Sequence, residues 1–273
     1  MKKFSGLLFC TDLDGTLYSD NKTVSPQNLD AIEYFKAEGG LFTFITGRVP
    51  MTAGAICQTI RPNAPYGCLN GGGIYDAQQQ RYLWKVGLPD SALELIQDVD
   101  RALPDIGIQF NTEKVLYFPK DNDAMQGFRA RTGVPHLTCG IDELPAPLLK
   151  VVFANYNGER ILALADFLQH HPRAQEFDFI RSEHHLYELL PKGVNKGNVL
   201  LKMADLLGID PAKTISVGDY DNDIAMLRTA GLSFAVANAS PAAKAAAQHL
   251  TVSNNDHAIA AIIDALDRGQ YSI

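Results

Sequence analysis

Short apolar runs alternate with helical patterns at both ends of the 273-residue chain, and this alternation constrains the fold more than any other feature. The first run, residues 7–10, is continuously apolar, which is typical of a strand buried on both faces. Ser25 and Pro26 then form the N-cap and first residue of a helix. A second apolar run follows at 41–45. This order predicts an α/β fold in which helices cover both faces of a doubly wound, Rossmann-like parallel sheet.

The same alternation returns near the end of the chain, whereas the middle has a different pattern. Strands are predicted at 214–217 and 233–236, with a helix at 224–227 between them. The middle carries its own strand and helix patterns and both pairs of adjacent histidines. We therefore predict that a second α/β unit is inserted into the first, which gives the segments 1–82, 83–188 and 189–273.

Composition excludes several classes of protein but identifies no activity. The formal charge is −7, from 24 Lys+Arg against 31 Asp+Glu, and no basic block is present. This balance argues against nucleic acid and anionic membranes as partners. No apolar run approaches the ~20 residues that span a bilayer, and the start lacks the pattern of a signal peptide. The four cysteines are scattered, which is typical of reduced thiols, and we expect a cytoplasmic protein.

The first acidic motif is Asp-Leu-Asp-Gly-Thr-Leu at 12–17, directly after the first predicted strand. Ligands of open α/β sheets bind at the carboxyl ends of strands, so Asp12 and Asp14 lie where a site is expected. One of two such carboxylates can attack phosphorus while the other stands beside the leaving oxygen. The alternative is a turn in which the aspartates cap the local backbone, and the motif alone favours that alternative.

A second acidic motif follows the strand at 214–217 and contains Asp219, Asp221 and Asp223. Mg²⁺ takes oxygen ligands, usually one or two carboxylates with water and phosphate. Two acidic loops at the ends of neighbouring parallel strands could form such a site together. The alternative is a helix start whose dipole favours acidic residues.

Two further loops carry groups that bind phosphate. Thr46 and Gly47 follow the strand at 41–45, where a hydroxyl and a backbone amide can hold a phosphate oxygen. Lys196 opens a helix, where its ammonium can neutralise phosphate and a nearby carboxylate. Ordinary turn chemistry and a solvated surface lysine are the alternatives, and Lys192 is a second candidate lysine.

The order of these four features resembles that of the haloacid dehalogenase-like (HAD) superfamily of phosphotransferases. Residues 12–17 match its first motif, 46–48 its second, Lys196 its third and 218–223 its fourth. The long interval between the second and third motifs resembles the large α/β cap of the Cof-like sugar-phosphatase branch. The resemblance implies a HAD core, and it implies that the inserted unit is an α/β cap domain.

The resemblance also implies a role for each residue. Asp12 would attack phosphorus and form an aspartyl-phosphate, and Asp14 would protonate the leaving alcohol and then activate water. The implied phosphate-binding residues are Thr46, Gly47, Lys196 and Asn222. The implied ligands of the cofactor Mg²⁺ are Asp12, the backbone carbonyl of Asp14, Asp219 and Asp223. Asp223 would act on the metal directly or through water, or would orient Lys196.

The sequence thus predicts an enzyme, a Mg²⁺-dependent phosphoric monoester hydrolase acting on a small phosphorylated metabolite of the hexose or pentose phosphate class. A phosphomutase on the same scaffold and a non-catalytic metabolite-binding module are the alternatives. The oligomeric state stays open. Residues 70–73 are interpreted as a hinge at the cap junction rather than as a glycine cradle, and His184 and His185 as polar surface of the cap.

Overall fold

The computed structural model describes residues 2–143 and 147–273 of the chain. They divide into two compact units, each with its own sheet. The first unit, here called the core, comprises Met1–Arg48, Ala53–Trp84 and Asn195–Ile273. The second unit, here called the cap, comprises Val49–Thr52 and Lys85–Val194.

The described part of the chain contains fourteen strands and nine α-helices, numbered in chain order. Strands β1 to β14 are Leu8–Thr11, Leu41–Phe44, Tyr66–Cys68, Gly73–Asp76, Arg81–Lys85, Gly107–Asn111, Leu116–Lys120, His136–Leu137, Lys150–Ala154, Phe177–Glu183, Leu186–Pro191, Thr214–Gly218, Leu232–Ala235 and His249–Leu250. Helices α1 to α9 are Pro26–Ala37, Pro50–Ile60, Ala92–Ala102, Asp123–Thr132, Gly158–His170, Lys196–Leu207, Ile224–Thr229, Pro241–Ala246 and Ala258–Asp267. The predicted start of α1 is confirmed, because Ser25 accepts a hydrogen bond from the amide of Asn28.

Five strands of the core form one parallel sheet in the order β14-β13-β12-β1-β2. The chain moves from β1 to β2 on one side and from β12 to β14 on the other. The strand order therefore reverses between β1 and β12, which is the point where open α/β sheets bind their ligands. At that edge Thr11 pairs with Val217 on one side and with Phe44 on the other.

Helices cover both faces of this sheet. Phe9 meets Phe35 of α1 edge to face, with ring centroids 5.7 Å apart. Its neighbours Leu8 and Cys10 belong to a buried cluster that contains Val199 of α6. Since successive side chains of a strand point to opposite faces, α1 and α6 lie on different sides of β1. The predicted doubly wound parallel sheet is confirmed.

Strand β3 does not continue the parallel sheet. It pairs antiparallel with β4, and β4 with β5 completes a separate three-stranded sheet. A single bridge between Ile45 and Gly67 joins β3 to the end of β2. The boundaries between the units also lie slightly later than predicted, after residues 84 and 194 instead of 82 and 188. The second boundary moves because β11 pairs with β9 and β10 of the cap sheet and runs to Pro191.

The cap contains a six-stranded sheet in the order β10-β11-β9-β6-β7-β8, antiparallel except between β7 and β8. One face is apolar and packs with α3 and α5 through residues such as Phe110, Val151 and Leu164. Alternate positions on β9 and β11 carry Lys150 and Glu188, which are both buried. The Lys150 ammonium lies 2.7 Å from a Glu188 carboxylate oxygen, and each side chain is only 4% exposed.

We expect Lys150→Met to lower the free energy of unfolding of the protein by about 3 kcal/mol, because it leaves the Glu188 carboxylate buried without its cation. Replacing both residues, as Lys150→Met with Glu188→Leu, should recover most of that loss, since no buried charge remains. Urea unfolding followed by circular dichroism measures both. The matched control is Lys192→Met, because Lys192 pairs with Asp178 on the cap surface and is 58% exposed. A comparable loss in the control, or no recovery in the double variant, would contradict the explanation.

No helix within residues 2–143 and 147–273 is long and apolar enough to cross a membrane. None of the four cysteines forms a disulfide bond among the described residues, and Cys10 and Cys68 are buried in the core.

Candidate active site

Three loops leave neighbouring strands of the parallel sheet at the same edge. Asp12 follows β1 directly, Asp219 follows β12 directly and Thr46 lies two residues beyond β2. Because the three strands are parallel and adjacent in the order β12-β1-β2, their carboxyl ends meet. The fold thus brings together residues as far apart in the sequence as Asp12 and Asp219, which are separated by 207 positions.

Lys196 connects two carboxylates at the centre of the site. Its ammonium donates to Oδ1 of Asp12 at 2.5 Å and to Oδ1 of Asp223 at 2.6 Å. Lys196 is the first residue of α6, whose start is fixed by Asn195, since the Asn195 side chain accepts from the amide of Asn198. The side chains of Lys196 and Asp223 are fully buried and that of Asp12 is 9% exposed. Burial opposes the charge on Lys196, but the two carboxylates outweigh burial and raise the pKa of the lysine.

Asp219 completes a cluster of three carboxylates. One oxygen each from Asp12, Asp219 and Asp223 lies within 4.8 Å of the others. Burial, together with the charge of Asp223, raises the pKa of Asp219 to about 7. Burial also raises the pKa of Asp12 well above its usual value, although Lys196 opposes the shift. Three carboxylates facing one ammonium form a set of hard oxygen donors with excess negative charge, and this fits a divalent cation such as Mg²⁺.

Two details hold Asp219 in place. Thr16 donates its hydroxyl to Oδ1 of Asp219 at 2.8 Å. Gly15 has a φ of +82°, and a Cβ there would lie 2.5 Å from Oδ2 of Asp219. Glycine is therefore required at this position both by the backbone conformation and by the close approach of the carboxylate.

Asp223 shapes the loop that carries Asp219. Its Oδ2 accepts hydrogen bonds from the amides of Asp219 at 2.8 Å and Tyr220 at 3.1 Å, while its Oδ1 accepts from Lys196. Asp223 therefore links the metal-binding candidate Asp219 to the lysine. Asp221 lies outside the carboxylate cluster and is exposed.

The carboxylate of Asp14 stands apart from this cluster. Arg48 binds it with two hydrogen bonds, from Nε to Oδ2 at 2.9 Å and from Nη2 to Oδ1 at 2.8 Å. Lys22 adds a third bond, from Nζ to Oδ1 at 3.1 Å. Burial alone would raise the pKa of Asp14, but the positive charges of Arg48 and Lys22 outweigh burial and lower it. The site thus contains two aspartates in different electrostatic environments.

Of the other candidate phosphate-binding residues, Thr46 and Asn222 are buried and Gly47 is half-buried. The Thr46 hydroxyl accepts a hydrogen bond from the amide of Arg48 at 3.2 Å. The Asn222 side chain donates to Oδ1 of Asn70 at 3.0 Å. Gly47 lies against the same asparagine, because a Cβ on Gly47 would come within 3.0 Å of the Asn70 amide group.

Asn70 was missed as a site residue by sequence reasoning. The segment interpreted as a hinge is a buried turn at residues 69–71, and Gly71 leaves no room for a Cβ beside the carbonyl of Asn195. Asn70 is fully buried with a φ of 54°, and its backbone amide donates to the backbone carbonyl of Thr46. Asparagine is one of the few residues that adopt this left-handed conformation readily, so Asn before three glycines was the available signal.

Two further asparagines that sequence reasoning missed, Asn238 and Asn254, anchor the loop after Asp14. Asn238 donates to the carbonyl of Gly15 at 2.8 Å and accepts from the amide of Asn254 at 3.0 Å. Asn254 is buried and donates to the carbonyl of Tyr18 at 3.0 Å. Nothing in the local pattern around either asparagine marks this role, because Gly15 and Tyr18, whose carbonyls they bind, lie more than 200 residues away in the sequence.

The other candidates of the sequence analysis lie in the cap. Lys192 pairs with Asp178 of β10, so Lys196 is the lysine that contacts Asp12. His184 and His185 form the turn between β10 and β11. His185 is buried, in contrast to the prediction of polar surface, because its ring packs against Tyr156.

A family model of the haloacid dehalogenase-like hydrolases matches residues 9–263, and the chain belongs to this family. Two relatives from Bacillus subtilis (strain 168) are named 5-amino-6-(5-phospho-D-ribitylamino)uracil phosphatases. YitU is 29% identical over 264 residues, covering 93% of this chain and 94% of its own. YwtE is 26% identical over 288 residues, covering 96% of this chain and 98% of its own.

A solved structure described as a HAD subclass IIB sugar phosphatase superposes with a TM-score of 0.85 over 96% of this chain and 99% of its own. Its sequence is 20% identical, so this likeness shows the fold alone. The family membership confirms both the resemblance to Cof-like HAD proteins and the prediction of an enzyme, a HAD-type phosphatase.

Proposed function

We propose that this enzyme hydrolyses small phosphorylated metabolites, of the hexose or pentose phosphate class, with Mg²⁺ and through an aspartyl-phosphate on Asp12. The observation that carries the proposal is the buried set of Asp12, Lys196, Asp219 and Asp223 at the reversal point of the sheet, with Asp14 held apart. Binding alone needs no second carboxylate kept separate from the first. This separation favours catalysis over a non-catalytic binding module.

In the first step, Asp12 attacks the phosphorus of the monoester. Lys196 bonds to Oδ1 of Asp12 and so leaves Oδ2 for the attack. The bond between phosphorus and the leaving oxygen breaks, and that oxygen takes a proton from Asp14 as the alcohol departs. The phosphoryl group is then held on Asp12.

In the second step, a water molecule attacks the phosphorus and gives its proton to Asp14. The bond between Asp12 and phosphorus breaks, which releases inorganic phosphate and returns both carboxyl groups to their starting states. Thr46, Gly47, Asn222 and Lys196 would hold the phosphate oxygens throughout. When bound by Asp12, Asp219, Asp223 and the carbonyl of Asp14, Mg²⁺ supplies positive charge that stabilises the transferring phosphoryl group.

Two observations support the substrate class and the compartment. The named substrate of the two Bacillus relatives carries its phosphate on a ribityl chain, which is an alkyl phosphate chemically close to a pentose phosphate. Four cysteines without a disulfide bond among the described residues fit a reducing compartment, which favours the cytoplasm.

We expect the purified protein to release inorganic phosphate from at least one member of a hexose and pentose phosphate panel when Mg²⁺ is present. Activity should disappear when the metal is removed with a chelator and return when Mg²⁺ is added back. Phosphate release without a bisphosphate activator excludes the phosphomutase alternative. If the panel and para-nitrophenyl phosphate both stay intact with Mg²⁺, the catalytic proposal fails.

A further inference from the structure

The carboxylate of Asp14 accepts three hydrogen bonds from two cations, whereas a simple surface ion pair needs only one. An ionised carboxylate offers about four lone-pair positions. Arg48 occupies one on each oxygen, and Lys22 occupies a second one on Oδ1. Among residues 2–143 and 147–273, these are the groups found to bond to this carboxylate, which leaves one open position on Oδ2. A proton that Asp14 exchanges with a substrate or with water must use that position.

Arg48 is itself held in position by its surroundings. Its amide donates to the hydroxyl of Thr46, and its carbonyl accepts from the amide of Leu69 at 3.0 Å. Its guanidinium carbon lies 5.3 Å from the ring centroid of Tyr18, a cation–π distance. The planar guanidinium therefore reaches Asp14 in a fixed orientation, and two parallel bonds restrict the carboxylate far more than a single lysine could.

We propose that Arg48 is a positioning residue for Asp14, which holds the carboxylate apart from the Asp12, Asp219 and Asp223 cluster and presents one oxygen for proton transfer. The inference rests on the proposed function, in which Asp14 protonates the leaving alcohol. An aspartate has several rotamers, and Asp14 lies two residues from Asp12. Without Arg48 the carboxylate can turn toward Lys196 or a bound cation, and proton transfer is lost although phosphate binding is intact.

The test compares two substrates that differ in their need for an acid. An alkoxide is too basic to leave without a proton, whereas para-nitrophenolate leaves readily without one. The ratio kcat/KM covers the reaction up to departure of the leaving group, so the later hydrolysis of the aspartyl-phosphate does not affect the comparison. Arg48→Met should lower kcat/KM for the best sugar phosphate by about 10- to 100-fold, part of the usual contribution of a general acid. We expect less than about a threefold loss with para-nitrophenyl phosphate.

Four further variants sharpen the result. Asp14→Asn should show the same dependence on leaving group, and adding Arg48→Met to it should change kcat/KM for the sugar phosphate no further, because Arg48 acts through Asp14. Arg48→Lys keeps one donor and should restore part of the loss, and it serves as the second variant if Arg48→Met does not fold. The control is Arg268→Met, which breaks an exposed ion pair with Asp264 and should leave kcat/KM unchanged for both the sugar phosphate and para-nitrophenyl phosphate.

Equal losses on the two substrates would overturn the inference, and so would a loss confined to KM or an additive effect in the double variant. Each of these outcomes leaves the proposed function standing, provided that Asp14→Asn shows the dependence on leaving group. If Asp14→Asn instead lowers kcat/KM equally for both substrates, or if the wild-type protein hydrolyses neither, the proposed function fails and the inference fails with it.

Discussion

Asp12→Asn should abolish turnover while leaving the protein folded. The amide cannot form the aspartyl-phosphate, and removal of a nucleophile of this kind costs at least about 10⁴-fold in kcat. Asn keeps an oxygen that can accept the hydrogen bond from Lys196. Phosphate release from the best sugar phosphate measures the loss.

The same variant should not be less stable than the wild-type protein in the absence of metal. Asp12 is one of three clustered carboxylates, and burial already disfavours its charge. Replacing that carboxylate by a neutral amide relieves repulsion, so thermal melting without Mg²⁺ should occur at the same or a higher temperature. Asp264→Asn, at an exposed position, is the control for both measurements. Substantial remaining activity would contradict the assignment of the nucleophile, and a large fall in melting temperature would contradict the electrostatic explanation.

Lys196→Met should damage activity and stability together. It leaves Asp12 and Asp223 without the ammonium that both of them bind in a fully buried position. We expect the free energy of unfolding to fall by about 3–5 kcal/mol, the usual cost of breaking a buried ion pair from one side. We also expect kcat to fall by about 10²–10³-fold, as when one donor that stabilises transition-state charge is removed. Urea unfolding and steady-state kinetics measure the two effects.

Two companion variants separate these effects. Adding Asp223→Asn to Lys196→Met removes one uncompensated carboxylate, so stability should be partly regained while activity stays low. Lys202→Met is the matched control on the same helix, because Lys202 is exposed and lies 4.7 Å from the ring centroid of Trp84. Lys202→Met should lower the free energy of unfolding by about 1 kcal/mol or less and leave kcat unchanged. If Lys196→Met is as stable as this control, the lysine does not compensate the buried carboxylates.

The parallel sheet could be predicted because its signals are local. Residues 7–10 read as a buried strand from their continuous apolar character, and Ser25 with Pro26 marked a helix start that the structure contains. The hairpin of β3 and β4 could not be assigned to its separate sheet. A strand of three residues looks alike in either sheet, and its partner is chosen by packing against α6.

The site was predictable to the same degree and for the same reason. Asp12 and Asp219 follow strands directly and Thr46 lies two residues beyond one, and strand ends are visible in the sequence. Asn70 has only its place before three glycines as a local signal, and Asn254 has none, because the hydrogen bonds that define their positions reach residues far along the chain. The pairing of Arg48 with Asp14 could not be predicted either, since neither the residue types nor their spacing indicates which cation a carboxylate will contact in the fold.

The amino-acid sequence by itself determined the class of fold, the family and the set of chemical groups, because apolar periodicity, turn residues and motif order act over a few neighbouring residues. Only the tertiary structure decided the surroundings of each aspartate. Asp12 and Asp14 are near neighbours of identical chemistry, yet one lies against Lys196, 184 residues away, and the other against Arg48. Burial and the charge of distant partners set the state of a carboxylate, and those are properties of the folded chain.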